Sequence, residues 1–166
     1  MTVYAKECNV FKGNKTKDSE RIEAMSAVFL GIDHLGIAVR DLETARATYR
    51  DILGFPMGDS EQLEERGLSV QFVETGGSRL ELIAPLHDKS EISGFLAKRG
   101  EGIHHVCVRV SDIDLAVETM QSQGAQVLGE GVQRGAHGTR VAFVHPKSAH
   151  GVLLELVEER PNEEKS

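Results

Sequence analysis

The chain has 166 residues, with 26 acidic side chains against 19 basic ones and a formal net charge of −7. That balance argues against a general nucleic-acid binder, which needs a basic surplus to neutralise phosphates, while 40% hydrophobic residues suit a soluble globular chain with one domain or two small fused halves. No apolar run approaches the ~20 residues of a membrane span, and two cysteines, Cys8 and Cys107, make no disulfide framework, so reduced thiols and a cytoplasmic setting are expected.

Residues 1–28 mix Lys, Asn, Thr, Ser and Glu without periodicity and read as a flexible N-terminal extension. They lack the apolar core of a secretory signal, and Glu7, Asp18, Glu20 and Glu23 count against a mitochondrial presequence. Residues 29–86 read as one βαβββ module. Phe29 to Val39 is a strand whose alternation puts His34, Gly36 and Ala38 on one face and Leu35, Ile37 and Val39 on the other. The spacing predicts a helix from Asp41, as N-cap, to Leu53, stopped by Gly54, with Leu42, Ala45, Tyr49 and Leu53 in one buried stripe. Phe55 to Met57 is a short strand and the charged Asp59 to Arg66 a loop. Gly67 to Glu74 and Arg79 to Ala84 are strands joined by a Gly76-Gly77 turn, and Pro85 ends the second.

Residues 87–101 are a linker, with a helix from Ser90 to Arg99 that buries Ile92, Phe95 and Leu96. Residues 102–158 repeat the module. His105 to Val110 is a strand and Asp112 to Gln123 a helix, with Ile113, Ala116, Val117 and Met120 inward. Ala125 to Leu128 is a short strand and Gly129 to Gly138 a polar loop. Thr139 to His145 and Val152 to Val157 are the closing strands, and residues 159–166 are a frayed tail. His34 to His105, Asp41 to Asp112, Ala45 to Ala116 and Phe72 to Phe143 are each separated by 71 residues, and Glu81 to Glu155 by 74. Offsets this regular indicate a duplicated unit. The expected fold class is therefore α+β, with two tandem βαβββ modules forming a curved sheet around a shared metal-binding cleft.

The chemistry rests on four residues. Leu80 and Leu82 flank Glu81, and Leu154 and Leu156 flank Glu155. If the leucines lie under helices, both glutamates point to the uncovered face, where His34 and His105 also point. Carboxylates amid apolar residues are costly to bury unless paired or metal-bound. Two imidazoles and two carboxylates suit Co²⁺, Zn²⁺, Ni²⁺ or Mn²⁺. His104 points the other way and reads as structural, while His87, His137, His145 and His150 fall in turns or loops and read mostly as solvated.

The runs from His34 to Val39, Glu81 to Pro85, Lys98 to Val106, Gly135 to Gly138, His145 to Ser148 and Gly151 to Leu156 resemble the methylmalonyl-CoA epimerase family of the vicinal oxygen chelate superfamily, over roughly residues 29–158. The resemblance places the family's metal ligands on His34, Glu81, His105 and Glu155, where some members have Gln at the second position. It implies a divalent ion, Co²⁺ first and Zn²⁺, Ni²⁺ or Mn²⁺ after it. It implies a homodimer, while the charge balance and the lack of a long apolar run leave no nucleic-acid or membrane partner expected. The implied reaction interconverts (S)- and (R)-methylmalonyl-CoA by proton transfer at the carbon alpha to the thioester, through a metal-stabilised enolate. Glu155 is the first choice of catalytic residue and Glu81 the second. Some members carry a further carboxylate on the middle strand, near Val70 here, and valine cannot move a proton. A coenzyme A tail calls for local basic residues; Arg134, Arg140 and Lys147 are candidates, or else ordinary surface charges. A glyoxalase I, with a similar ligand set, and a non-enzymatic ligand-binding relative are the alternatives.

Overall fold

The computed structural model describes residues 28–158; the expected extension up to residue 27 and the tail after residue 158 lie outside the described residues. In chain order the elements are β1 (Phe29–Ala38), α1 (Leu42–Ala47, continued by a π turn over Thr48–Ile52), β2 (Met57–Leu63), β3 (Leu68–Val73), β4 (Arg79–Pro85), α2 (Ser93–Arg99), β5 (Gly102–Val110), α3 (Ile113–Ser122), β6 (Gln133–Arg134), β7 (Arg140–Val144) and β8 (Leu154–Glu158). They build one curved eight-stranded sheet, ordered β2-β3-β4-β1-β5-β8-β7-β6. Each half contributes four neighbouring strands. β1 pairs parallel with β4 and β5 with β8, and the halves meet where β1 and β5 run antiparallel.

Strand alternation sorts the side chains into two layers. On the outer face, Leu42, Ala45 and Tyr49 of α1 pack on Val39, Val73, Leu82 and Ala84. The other half matches: Ile113, Ala116, Val117 and Met120 of α3 pack on Val110, Ala142 and Leu156. Val28 joins this second cluster, and its carbonyl accepts from the Ser111 amide. Asp41 and Asp112 cap the two helices, accepting from the Thr44 and Leu115 amides at 2.7 and 2.9 Å. The inner face carries Ala38, Val70, Phe72 and Ile83 in one half and Cys107, Val141, Phe143 and Val157 in the other. Ile92 and Leu96, from α2 and its start, pack at the edge of the first group.

Several local expectations give way. Leu53 is 54% exposed rather than buried. Its amide bonds the Thr48 carbonyl, five residues back, and the wider π turn rotates it off the stripe that Leu42, Ala45 and Tyr49 share. Asp59 to Leu63 is strand rather than loop, because β2 lies at the sheet edge, where charged side chains meet water without cost. The linker helix starts at Ser93, not Ser90, whose amide closes a turn on His87. The stretch expected as the strand Ala125 to Leu128 touches β7 through a single bridge, Val127 to Val144, and Gln133–Arg134 in the expected loop supplies β6. β8 begins at Leu154 rather than Val152.

Leu82 is fully buried under α1. Leu82→Ala should lower the unfolding free energy by about 2–5 kcal/mol and Leu53→Ala by well under ~1 kcal/mol in denaturant titrations. Equal losses would contradict the rotated register after the π turn.

Candidate metal centre

The four strands at the middle of the sheet, β4, β1, β5 and β8, each bring one buried side chain that could ligate a metal to the inner face: Glu81, His34, His105 and Glu155. Register explains the convergence. Gly36 stands opposite Glu81 on one side and His105 on the other, while Cys107 stands opposite His34 and Glu155. Small residues therefore sit where each imidazole must lie across the neighbouring strand. A Cβ at Gly36 would collide with the His105 ring.

The two Nε2 atoms face each other at 3.2 Å. His105 Nε2 is 2.9 Å from Glu155 Oε2 and 3.4 Å from Glu81 Oε2, and His34 Nε2 is 3.4 and 3.8 Å from Glu81 and Glu155. The four ligand atoms all lie within 4.8 Å of one another. Donors held at ~2.0–2.2 Å from one divalent ion stand roughly 3 to 4.4 Å apart, so these four residues, two imidazoles and two carboxylates, fit such an ion.

The carboxylates favour the charged form of both imidazoles. Burial pulls the His105 imidazole down, but hydrogen bonds and the charges of Glu155 and Glu81 carry it up to about 9. Burial likewise opposes charge on His34, yet its bonds to Asp33, Cys107 and Glu81 raise it to about 12. Burial alone would raise the Glu81 carboxyl; the two imidazoles outweigh it and hold the group well below the usual carboxylate range.

The centre opens on a cleft of about 430 Å³, lined by Val70, Phe72, Ile83, Val141, Phe143 and Val157 with charged groups at its margins. Loops from each half reach across it. The Arg66 guanidinium lies 5.5 Å over the Phe143 ring, and the His137 ring lies 5.7 Å from that of Phe72. Arg66 and His137 are themselves 71 residues apart, and each precedes a glycine in left-handed backbone, Gly67 at φ 65° and Gly138 at φ 71°. Glu61 accepts from the His137 amide at 2.6 Å and lies 3.3 Å from its Nδ1. His137, expected in solvent, thus lines the cleft. Periodicity could not find it, because it lies in a turn with left-handed backbone of its own. The pairing with Arg66 at the repeat offset was the available signal. His104, expected on the outer face, also lines the cleft.

Among the described residues, Arg66, Arg79 and Arg109 are the arginines that line the cleft; Arg134, Arg140 and Lys147 lie outside that lining and are exposed. The Arg140 guanidinium is held by Asp114 at 2.7 Å and Glu158 at 3.1 Å. Val70 is buried on the inner face, and its cross-strand partner is Glu61 on β2.

A model of the Glyoxalase/Bleomycin resistance protein/Dioxygenase superfamily matches residues 33–143. The mitochondrial methylmalonyl-CoA epimerase of Bos taurus is 44% identical over 126 residues, covering 75% of this chain and 72% of the relative. The ethylmalonyl-CoA/methylmalonyl-CoA epimerase of Cereibacter sphaeroides is 43% identical over 127 residues, covering 75% and 95%. The crystal structure of methylmalonyl-CoA epimerase from Mycobacterium tuberculosis is similar with a TM-score of 0.77 at 40% identity, covering 82% of this chain and 92% of that one.

Gly36→Ala should weaken divalent-metal binding roughly tenfold or more by turning the His105 ring aside, read by competition with a chromophoric chelator; unchanged affinity would refute the packing argument. A pH series gives a second check. Because the folded imidazoles are raised above 6.5, their contribution to stability is fully present below pH 6.5. As pH rises through about 9 the His105 share is lost in chelator-treated protein. The rise in Tm on adding Co²⁺ should therefore grow across that window, since the cation binds the deprotonated rings. A Co²⁺ effect that shrinks as pH rises would contradict this balance.

Proposed function

Because the chain belongs to the glyoxalase/bleomycin resistance protein/dioxygenase superfamily and, within it, to the methylmalonyl-CoA epimerases, we propose that it interconverts (S)- and (R)-methylmalonyl-CoA by moving a proton at the carbon between thioester and carboxylate. The observation that carries this reading is the meeting of His34, Glu81, His105 and Glu155 at the floor of one cleft. These four side chains would hold a divalent ion, Co²⁺ first and Zn²⁺, Ni²⁺ or Mn²⁺ after it. Bound there, the ion supplies Lewis-acid stabilisation to the negative charge that deprotonation places on the substrate oxygens.

The protein's own groups do the rest. Inversion needs an acid and a base on opposite sides of a planar carbon. Glu81 and Glu155 stand on β4 and β8, with β1 and β5 between them, so they approach the centre from opposite sides. We assign them the two proton transfers, Glu155 first. No titratable group stands at Val70, so neither transfer is assigned to that position. Phe72, Val70, Phe143 and Val141 form apolar walls that limit water around the reacting carbon.

The acyl end enters the cleft and the coenzyme A tail leaves it. Arg134, Arg140 and Lys147 are our candidates for phosphate contacts, and Arg140 would have to leave Asp114 and Glu158 to serve. A homodimer is proposed on family grounds, supported by the exposed Ile32 and Ile103, whose register partners Val108 and Ile37 belong to the outer face. No helix among the described residues is long and apolar enough to cross a membrane, and Cys107, buried and without a disulfide among the described residues, is in keeping with the cytoplasmic setting proposed here.

Incubation of one methylmalonyl-CoA epimer in deuterated water should give inversion with uptake of one deuterium, abolished by chelator and restored by Co²⁺. Glu155→Gln should slow it by about 10²–10⁴-fold. Metal-replete protein that leaves the epimer unlabelled, or that turns over the methylglyoxal–glutathione adduct instead, would overturn the assignment.

A further inference from the structure

Strict alternation gives β1 and β5 one cleft-facing side chain in every two, yet each strand presents two in succession. In the antiparallel pairing of these strands, Ile32 opposes Val108 and His34 opposes Cys107, so Asp33 is an extra residue in β1. Gly36 opposes His105 and Ile37 opposes Ile103, so His104 is an extra residue in β5. A bulge of this kind places two residues of one strand against one of its partner and re-aims a side chain. Asp33 and His104 therefore both line the cleft, each beside its ligand histidine, and they are 71 residues apart, the period of the duplication.

The two bulges put different chemistry behind the two imidazoles. Asp33 Oδ1 accepts from His34 Nδ1 at 2.9 Å and from Arg79 Nη2 at 2.7 Å, and Asp33 Oδ2 lies 3.6 Å from Arg109 Nε. The Arg79 guanidinium is itself seated 4.3 Å over the Phe72 ring. An ionised carboxylate can only accept, so the His34 Nδ1 carries the proton and Nε2 is the atom turned to the centre. At the other bulge, His104 Nδ1 lies 3.1 Å from His105 Nδ1, with its ring edge-on to Phe95 at 4.9 Å. His105 thus has a second imidazole behind it where His34 has a carboxylate anchored by two guanidinium groups.

We propose that Asp33, braced by Arg79 and Arg109, is a positioning residue that fixes the tautomer and ring orientation of His34, so that the duplicated centre holds its ion by two unequal imidazoles. The inference rests on the metal-site reading of His34, Glu81, His105 and Glu155. A carboxylate behind a ligating imidazole raises its basicity and holds its ring in place, and loss of such a partner commonly weakens binding 10–100-fold.

The test is a competition titration of Zn²⁺ on the full chain and on its Asp33→Asn, Arg79→Gln, His104→Gln and His34→Ala variants, with folding checked by circular dichroism. Asp33→Asn should raise the Zn²⁺ Kd by roughly 10–100-fold, Arg79→Gln by several-fold and His104→Gln by less than about threefold. In ¹⁵N-histidine-labelled, Zn²⁺-loaded protein, the downfield Nδ1 proton of His34 should move upfield in Asp33→Asn and stay in place in His104→Gln. A purely structural role would leave that resonance unmoved. If Asp33→Asn does not fold, Arg79→Gln decides: an unchanged Kd and an unmoved His34 resonance overturn the proposal. Equal losses from Asp33→Asn and His104→Gln overturn it too, as does a Kd for Asp33→Asn within twofold of the parent. Failure of the underlying site has a different signature, a parent chain that binds no Zn²⁺ or a His34→Ala variant that binds it as tightly.

Discussion

Two carboxylates buried in an apolar cleft require positive charge at van der Waals distance, and the molecule is arranged around that requirement. Glu81 and Glu155 are both flanked by leucines that must pack beneath helices. Pleating then forces the glutamates to the opposite face, where solvent cannot neutralise them. Two imidazoles answer that charge at 2.9 to 3.8 Å, and a divalent ion would answer it better. The same four groups whose burial is costly would chelate such an ion, and its binding would then be coupled to folding at this point.

Where the sequence speaks through periodicity, it speaks clearly. Leucine on one face and glutamate on the other point to Glu81 and Glu155, and the duplication, at 74 residues for them and 71 for His34 and His105, ties the two pairs together; all four meet on one face of the sheet. The unread features are departures from period. A bulge inserts one residue without altering composition, so strict alternation puts His104 on the wrong face and does not single out Asp33. A π turn moves Leu53 off a stripe that its spacing fits. β2 resembles a loop because an edge strand tolerates Asp59, Glu61 and Gln62 as readily as a loop does. His137 sits in left-handed backbone that no hydrophobic pattern encodes.

Duplication fixes more than the ligands. The contacts of Arg66 with Phe143 and of His137 with Phe72 are copies of one cross-cleft design. Each half reaches over the other's phenyl ring, so neither half completes the cleft alone. Within this symmetry the partners have diverged: arginine matches histidine, aspartate matches histidine, and glycine at position 36 matches cysteine at 107. The four candidate ligands and the apolar walls, Val70 with Val141 and Phe72 with Phe143, keep the repeat relation while the groups around them do not, so a nearly symmetric floor lies beneath an asymmetric rim.

The placement of Glu81 and Glu155 on strands related by that pseudo-dyad has a consequence for direction. On the proposed chemistry, an incoming molecule of either handedness meets the same pair of carboxylates with their duties exchanged. Donor for one isomer is acceptor for the other. A scaffold built this way has no forward gear, and the direction of net conversion is set by whichever isomer is consumed elsewhere.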